Sequence, residues 1–183
     1  MVCDAMNAQI TLGVTEPAEY AAFEALYQIS FPDDERKPFA LMCRRAEEGK
    51  AELLSLRRDG QFVGLLFTLP HGDYVLLDYL AVDPACRNGG LGAEALRLVR
   101  ARYPEKLLFL EVEEPDTEMA RRRMAFYGRN GLLPTGLHIE LFTVDMQILS
   151  DGGKKIPFDR YLDHLCTTMG EYSRAHVFYR SQE

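Results

Sequence analysis

The stretch that decides the fold is Leu80–Gly92, LAVDPACRNGGLG, in which an apolar run gives way to a proline break and then to three glycines. The apolar run reads as a strand ending at Val82, and a helical pattern begins near Gly90. Backbone amides at the start of a helix lack partners within the helix, and the helix dipole favours an anion there. Glycines allow positive φ and close approach of a ligand, while Arg87 can hydrogen-bond phosphate oxygens. The turn Arg87–Gly92 therefore predicts a diphosphate-binding site.

The segments before this turn predict an antiparallel meander. Glu52–Arg58 and Gln61–Leu69 are apolar-rich runs joined by Asp59-Gly60, a dipeptide typical of β-hairpins, and a third strand is expected over Tyr74–Val82. Three further elements are expected nearer the N-terminus: a strand over Ile10–Val14, a helix ending before Pro32, and a short helix from Pro38 to about Glu48.

The segments after the turn predict a βαβ unit. A helix over Gly90–Arg102 and a strand over Leu107–Glu113 complete the unit within about 40 residues, so its two strands should be parallel. A helix from about Thr117 to Asn130 follows, and the segment Leu137–Leu149 is mostly strand. The fold class is therefore α/β with a mixed (α+β) sheet, in which a meander precedes a βαβ unit and helices cover both faces.

A chain of 183 residues is expected to form one domain. Residues 1–149 contain the elements named so far. Residues 150–183 begin at a flexible break, Asp151–Gly153, and predict a C-terminal extension with a helix over Phe158–Tyr172. We expect the extension to pack on the same domain, because so short a segment makes a poor independent core.

Composition and charge exclude several classes of function. The net charge of −7 argues against nucleic acid and against anionic membrane surfaces. There is no signal-peptide pattern at the start and no apolar run of about 18 residues. The cysteines lie far apart and the histidines lack zinc-ligand spacing, which predicts reduced thiols in a cytoplasmic protein without a metal site. The four cysteines are Cys3, Cys43, Cys86 and Cys166.

Dinucleotide binding is a competing interpretation of the same glycines. Gly90–Ala95 matches G-x-G-x-x-A, and Glu111 lies about twenty residues on, where an acid would contact ribose. However, four residues separate Val82 from Arg87, whereas the dinucleotide turn follows its strand closely. The preceding hairpin also conflicts with a doubly wound sheet, which needs successive βαβ units. The dinucleotide interpretation is therefore disfavoured, and no Gly-Lys-Ser/Thr sequence supports a P-loop.

Two motifs together resemble the GNAT superfamily of N-acetyltransferases. Leu80–Gly92 looks like the acetyl-CoA signature of that family, R/Q-x-x-G-x-G/A after a strand. Phe126–Leu132, FYGRNGL, is similar to its second motif, F/L-Y-x-x-x-G-F, and lies about 35 residues further on. The order of elements from Ile10 to about Leu149 also matches. The resemblance implies a GNAT-like sheet whose fourth and fifth strands splay apart, with acetyl-CoA lying between them.

The resemblance also implies roles for particular residues. The diphosphate would be held by Arg87, Asn88, Gly89, Gly90, Leu91 and Gly92. Backbone amides near Leu80, Ala81 and Val82 would hold the acyl carbonyl and the pantetheine, and Tyr127 would be the acid that protonates the CoA sulfur. The chain departs from the family at Ala120 and Arg123, where many members carry asparagine and alanine. The loss of the asparagine at position 120 puts one pantetheine hydrogen bond in doubt.

Acyl transfer to an amine needs a group that accepts the amine proton. Glu111 and Glu113 alternate with apolar residues, so both carboxylates face one side of the strand. Glu111 is the preferred general base, and Asp78 on the preceding strand is the reserve candidate. The acidic residues from Glu113 to Glu118 are expected to form a solvated loop. An acyl-cysteine on Cys86 is disfavoured, because no histidine is recognisably paired with it.

The predicted function is direct transfer of an acetyl group from acetyl-CoA to a primary amine of a small, cationic acceptor. Acidity beside the presumed cleft favours a cationic over an acidic acceptor. The alternative is a catalytically inactive GNAT-like module that binds CoA or a partner protein. The sequence leaves the acceptor's identity and the choice between monomer and homodimer open.

Overall fold

The structure, a computed structural model, describes residues 8–33 and 35–182. One eight-stranded mixed sheet runs through it, in the spatial order β1-β2-β3-β4-β5-β7-β6-β8. The strands are β1 (Ile10–Val14), β2 (Glu52–Arg58), β3 (Gln61–His71), β4 (Tyr74–Val82), β5 (Leu107–Glu113), β6 (Leu132–Leu141), β7 (Val144–Asp151) and β8 (Val177–Gln182).

Helices cover both faces of this sheet. They are α1 (Tyr20–Ser30), α2 (Phe39–Glu47), α3 (Leu91–Arg102), α4 (Glu118–Arg129), α5 (Phe158–Met169) and α6 (Glu171–Arg174), with short 3₁₀ turns at Pro17–Glu19 and Pro84–Cys86. Side chains of α1, α2 and α5 pack on one face, which we call the first face. Side chains of α3 and α4 pack on the other, the second face. The predicted fold class is confirmed.

The meander forms as the sequence predicts. Strands β1 to β4 pair antiparallel in order. Asp59 and Gly60 both have positive φ, at 51° and 79°, which is the pattern of the type I′ turn that matches the twist of a hairpin. The predicted bounds of β2, β4 and β5 coincide with those observed, and β3 extends two residues beyond its predicted end.

Strands β4 and β5 separate after a short parallel pairing. They pair only where Tyr74–Leu76 lies beside Leu107–Phe109. Just beyond, Thr68 pairs with Leu77 and Phe67 with Tyr79, so Asp78 is an extra residue in β4. Such a bulge bends its strand and leaves the extra residue unpaired. The bulge therefore lies where the two strands diverge, and it turns the Asp78 side chain toward the first face.

The C-terminal segment adds two helices and a strand to the sheet. Helix α5 ends at Gly170, whose φ is 70°, and α6 follows directly, so the single helix predicted over Phe158–Tyr172 is divided. Strand β8 pairs antiparallel with β6 and was not predicted. Tyr161, Leu165 and Met169 of α5 are buried in the first-face core together with residues of α1 and β3.

The three cysteines within the described ranges, Cys43, Cys86 and Cys166, are free thiols, and Cys3 lies outside those ranges. No helix in the described part of the chain is both long and apolar enough to cross a membrane.

Candidate active site

A cavity of about 380 Å³ opens where β4 and β5 separate. One wall is Leu77–Val82 of β4 and the opposite wall is Glu111–Glu113 of β5. Side chains from α4 and from the loops after α1 and β6 close the remaining sides. These are Met119, Arg123 and Tyr127, Phe31, and Phe142. Glu111, Tyr127 and Arg87, which the sequence placed at separate points of the chain, therefore share one cavity.

The glycine turn has the local geometry of an anion-binding helix start. Gly90 is the N-cap of α3 with φ 77° and ψ 0°, a left-handed conformation that side chains other than glycine rarely adopt. Apart from Gly90 and its chain neighbours, no atom of the described residues lies within 4 Å of where a Cβ at Gly90 would stand. The space beside Gly90 is therefore open, and the first amides of α3 have no partner within the helix, which suits an incoming phosphate.

Arg87 lies exposed between the end of β4 and the start of α3. Its Nε donates a hydrogen bond of 3.1 Å to the carbonyl oxygen of Val82. This contact fixes the side chain by one nitrogen, and the outer guanidinium nitrogens can donate to a phosphate.

A second arginine, which the sequence patterns do not indicate, lies beside this turn. A guanidinium nitrogen of Arg58 comes within 3.4 Å of the position that a Cβ at Gly89 would occupy. Arg58 ends β2, and only the sheet order brings it near Gly89. No local pattern in the sequence could have indicated this proximity.

The two motifs that the sequence analysis singled out are in contact. A Cβ atom at Gly92 would lie only 3.0 Å from Cζ of Phe126. The absence of a side chain at Gly92 therefore lets the Phe126 ring of α4 pack on the first turn of α3. Tyr127 follows Phe126 and lines the cavity. The packing of Phe126 at Gly92 thus fixes the position of its neighbour Tyr127, the candidate acid.

The backbone of β4 faces the cavity with an open edge. Leu80, Ala81 and Val82 pair with β3 on one side. On the other side, the described residues provide no strand partner for β4 beyond Leu76. Unpaired backbone amides in a strand are strong hydrogen-bonding groups, so this edge can hold an extended ligand.

Glu111 projects into the cavity from β5. Its Oε1 accepts a hydrogen bond of 2.6 Å from the Tyr161 hydroxyl, and its other oxygen has no hydrogen-bond partner among the described residues. Burial, together with the negative charge of Asp78, raises the pKa of Glu111 to about 7. A carboxylate with a pKa near neutrality is suited to accept a proton at physiological pH.

Asp78 is held in an ion pair. Its Oδ1 lies 2.8 Å from Nζ of Lys37, and the two side chains are only 2% and 3% exposed. Its Oδ2 is buried without a hydrogen-bond partner in the described structure, although Asp78 lines the cavity. A buried carboxylate oxygen without a partner is uncommon and needs an explanation, and a bound cationic group would supply one.

Tyr127 lines the cavity from α4. Within the described ranges, no protein group hydrogen-bonds its hydroxyl, and burial raises the pKa of Tyr127. A phenol that stays protonated beside a cavity can donate a proton to a group that develops negative charge there.

The acidic residues after β5 differ from expectation. Glu113 forms an ion pair of 3.1 Å with Arg123, and Glu114 lies 2.5 Å from both His138 and Gln147. These two carboxylates are engaged by neighbours rather than forming a solvated loop, whereas Asp116 and Glu118 are exposed. Arg123 also lines the cavity.

The fold and the site together define an α/β protein whose mixed sheet opens into a cavity between β4 and β5. A family model described as Acetyltransferase (GNAT) family matches residues 19–131. The chain belongs to the GNAT family of acetyltransferases, and acetyl transfer from acetyl-CoA is the activity of that family. No match was found among curated protein sequences.

Solved structures confirm the fold at low sequence identity. A GNAT-family protein from Bacteroides thetaiotaomicron has 20% identity and a TM-score of 0.73, covering 87% of this chain and 98% of its own. The ribosomal-protein-S18-alanine N-acetyltransferase from Escherichia coli has 19% identity and a TM-score of 0.62, with coverages of 81% and 97%. A GNAT acetyltransferase from Elizabethkingia anophelis, solved with acetyl-CoA bound, has 14% identity and a TM-score of 0.53, with coverages of 80% and 98%.

Proposed function

We propose that this chain transfers an acetyl group from acetyl-CoA directly to a primary amine of a small cationic acceptor. The observation that carries the proposal is that Glu111, Tyr127 and Arg87, the first residue of the glycine turn, line one cavity between β4 and β5. A candidate base and a candidate acid thus lie in the same cavity as an arginine of the candidate diphosphate site.

The residues present fit the donor. The open amides from Asn88 to Gly92, with Arg87 and Arg58 beside them, would hold the diphosphate. The free edge of β4 at Leu80, Ala81 and Val82 would hold the pantetheine and the acyl carbonyl through backbone groups. When bound, acetyl-CoA supplies a thioester whose carbonyl carbon accepts the amine.

The transfer forms a carbon–nitrogen bond and breaks the carbon–sulfur bond. Glu111 accepts the proton that the amine nitrogen loses, because its free carboxylate oxygen has no competing partner among the described residues. The Tyr127 hydroxyl donates a proton to the departing sulfur. No acyl-enzyme is required, and both protons are accounted for by these two side chains.

A cationic acceptor is supported by the charges at the cavity floor. Asp78 and Glu111 are two carboxylates, and Lys37 is paired directly with Asp78 alone. The unpartnered Oδ2 of Asp78 can accept a hydrogen bond from an ammonium group. The acidic run after β5 gives weaker support than its sequence suggests, since Glu113 and Glu114 already have partners.

Release of CoA thiol from acetyl-CoA across a panel of amines tests the proposal. The panel contains a polyamine, an amino acid, an aminoglycoside and a peptide with a free N-terminus. We expect thiol release well above the hydrolysis background with at least one cationic amine, and one acetyl group added per thiol by mass spectrometry. Tight CoA binding without turnover on any amine would contradict catalysis and favour the inactive binding module.

A further inference from the structure

Four side chains from four separate elements meet on the first-face side of the cavity. Lys37 comes from the loop before α2, Asp78 from the bulge in β4, Glu111 from β5 and Tyr161 from α5. Tyr161 belongs to the C-terminal segment, outside the part of the chain that the family model matches. The segment therefore brings a polar group to the candidate active site.

Tyr161 is fully buried, and within residues 8–33 and 35–182 its hydroxyl has a single hydrogen-bond partner, Oε1 of Glu111, at 2.6 Å. The ring packs against Phe109 and Phe158, with ring centroids 6.3 and 6.2 Å away. These contacts leave the hydroxyl little freedom to point elsewhere. Because Oε1 is held in this way, the remaining oxygen of Glu111 is the one available to the cavity.

Lys37 is fixed just as firmly on the opposite side. Its backbone N–H donates to the Tyr79 hydroxyl at 3.1 Å, and its carbonyl oxygen accepts from the Tyr27 hydroxyl at 3.0 Å. Its ammonium donates to Asp78 at 2.8 Å. The cation therefore has a defined position close to two carboxylates, although it is paired directly with only one.

Resting on the proposed function, we propose that Tyr161 and the Lys37–Asp78 ion pair are positioning residues that set the orientation and the charge of the Glu111 carboxylate. Tyr161 stabilises the carboxylate by a hydrogen bond, Lys37 stabilises it by charge, and Asp78 opposes it by charge. The other groups near Glu111 are Tyr79, on the same face of β4, and the Glu113–Arg123 pair along β5.

This arrangement predicts shifts of opposite sign in the protonation of Glu111. In Tyr161→Phe the ring is kept and the hydrogen bond is lost, so the pKa of Glu111 should rise by about half a unit to one unit. In Asp78→Asn the like charge is removed, so the pKa of Glu111 should fall. The matched control is Tyr103→Phe, because the Tyr103 hydroxyl also donates to a carboxylate, that of Glu52, outside the cavity.

The direct readout is a ¹³C NMR titration of glutamate side-chain carboxyls, in which the Glu111 resonance is identified by its absence from Glu111→Gln. We expect Tyr161→Phe to titrate at higher pH than the wild type and Tyr103→Phe to titrate with the wild type. Equal midpoints for Tyr161→Phe and the wild type overturn the positioning role. If Tyr161→Phe does not fold, Asp78→Asn provides the test. A lower pKa of Glu111 in that variant supports the role of the Lys37–Asp78 ion pair, and an unchanged pKa overturns it.

The kinetic readout is the rising limb of kcat/KM against pH. We expect this limb to move to higher pH in Tyr161→Phe by the same amount as the titration midpoint, and to stay in place in Tyr103→Phe. If the titration midpoint of Glu111 changes but the rising limb of kcat/KM does not move, the Tyr161 hydrogen bond is structural only and the proposal is overturned. The NMR titration needs no turnover. Absence of turnover in the wild type would therefore count against the proposed function, while the titration would still test the contact between Tyr161 and Glu111.

Discussion

Asp78, Glu111 and Glu113 are carboxylates that border the cavity from β4 and β5, and their partners distinguish them. Asp78 is paired with Lys37, and Glu113 is paired with Arg123. Among the described residues, Glu111 is hydrogen-bonded by the Tyr161 hydroxyl alone and forms no direct ion pair. The sequence favoured Glu111 as the base with Asp78 in reserve, and this difference in partners also favours Glu111.

Replacing Glu111 should change how stability depends on pH. The pKa of Glu111 is raised from 4.5 to about 7, so between these values the folded state binds a proton that the unfolded chain releases. The free energy of unfolding therefore falls as the pH rises through this window. The free energy of unfolding of Glu111→Gln does not fall in this way. It should therefore increase by about 2–3 kcal/mol relative to that of the wild type between pH 4.5 and pH 8. Urea unfolding at a series of pH values measures the gap.

His164 provides a control of opposite sign. Burial lowers the pKa of His164 from 6.5 to about 4, so the unfolded chain binds more protons than the folded one between those values. The free energy of unfolding of the wild type then decreases as the pH falls. His164→Gln should therefore become more stable relative to the wild type on acidification. A Glu111→Gln stability gap that does not change with pH would contradict the account of Glu111.

Tyr127→Phe should reduce turnover far more than it weakens donor binding. The hydroxyl is removed while the ring that packs beside Phe126 is kept. We expect kcat to fall by about 10²-fold or more, with the dissociation constant for acetyl-CoA changed less than about threefold. Steady-state kinetics and calorimetry measure the two effects. Tyr179→Phe, at an exposed site on β8, is the control, and equal activity of Tyr127→Phe and the control would remove Tyr127 from the chemistry.

Sequence patterns located Glu111 and Tyr127 but not the groups around them. Strand alternation placed Glu111 on one face, and a local motif selected Tyr127. Tyr161 lies 50 residues from Glu111, and Lys37 lies 41 residues from Asp78. Such pairings depend on how elements pack across the sheet, and no short-range spacing encodes them.

Among the elements, the turn between β4 and α3 should respond to a single substitution at Gly90. A side chain at Gly90 would have to adopt φ near 77° and would occupy the open space in front of the α3 amides. Gly90→Val should therefore abolish acetyl-CoA binding in calorimetry while the fold is retained.

Gly60→Val separates these two effects. Gly60 has a similar φ of 79° and equally open surroundings, but it lies in the β2–β3 hairpin. Gly60→Val should therefore lower the stability about as much as Gly90→Val does, while its affinity for acetyl-CoA stays normal. Unchanged affinity in Gly90→Val would refute the assignment of the turn to the donor.

The elements with strong local signatures were predicted, and those set by distant partners were not. The turn dipeptide Asp59-Gly60 and the prolines and glycines at element boundaries predicted the first and last residues of β2, β4 and β5 correctly. The bulge at Asp78 is invisible in the sequence, because it depends on the register between β3 and β4. Strand β8 follows a short helix at the sheet edge and exposes Phe178 and Tyr179, so its pattern lacks a buried face.

The molecule as a whole depends on its C-terminal segment for its core. Leu165 of α5 is 1% exposed and packs in the same cluster as residues of α1 and β3. Leu165→Ala should lower the free energy of unfolding by about 2–5 kcal/mol, because it removes buried surface and leaves a cavity. Leu133→Ala, at a position 43% exposed, is the control and should cost less than about 1 kcal/mol. Equal costs in urea unfolding would contradict the packing of α5 into the core.

The central claim is that the separation of β4 from β5, with the turn beside it, is the donor site. A crystal structure at saturating CoA tests this claim most directly. We predict the diphosphate against the amides of Asn88–Gly92, the pantetheine along Leu80–Val82, and the sulfur between Glu111 and Tyr127. CoA bound elsewhere, or an empty cleft at a saturating concentration, would contradict the account.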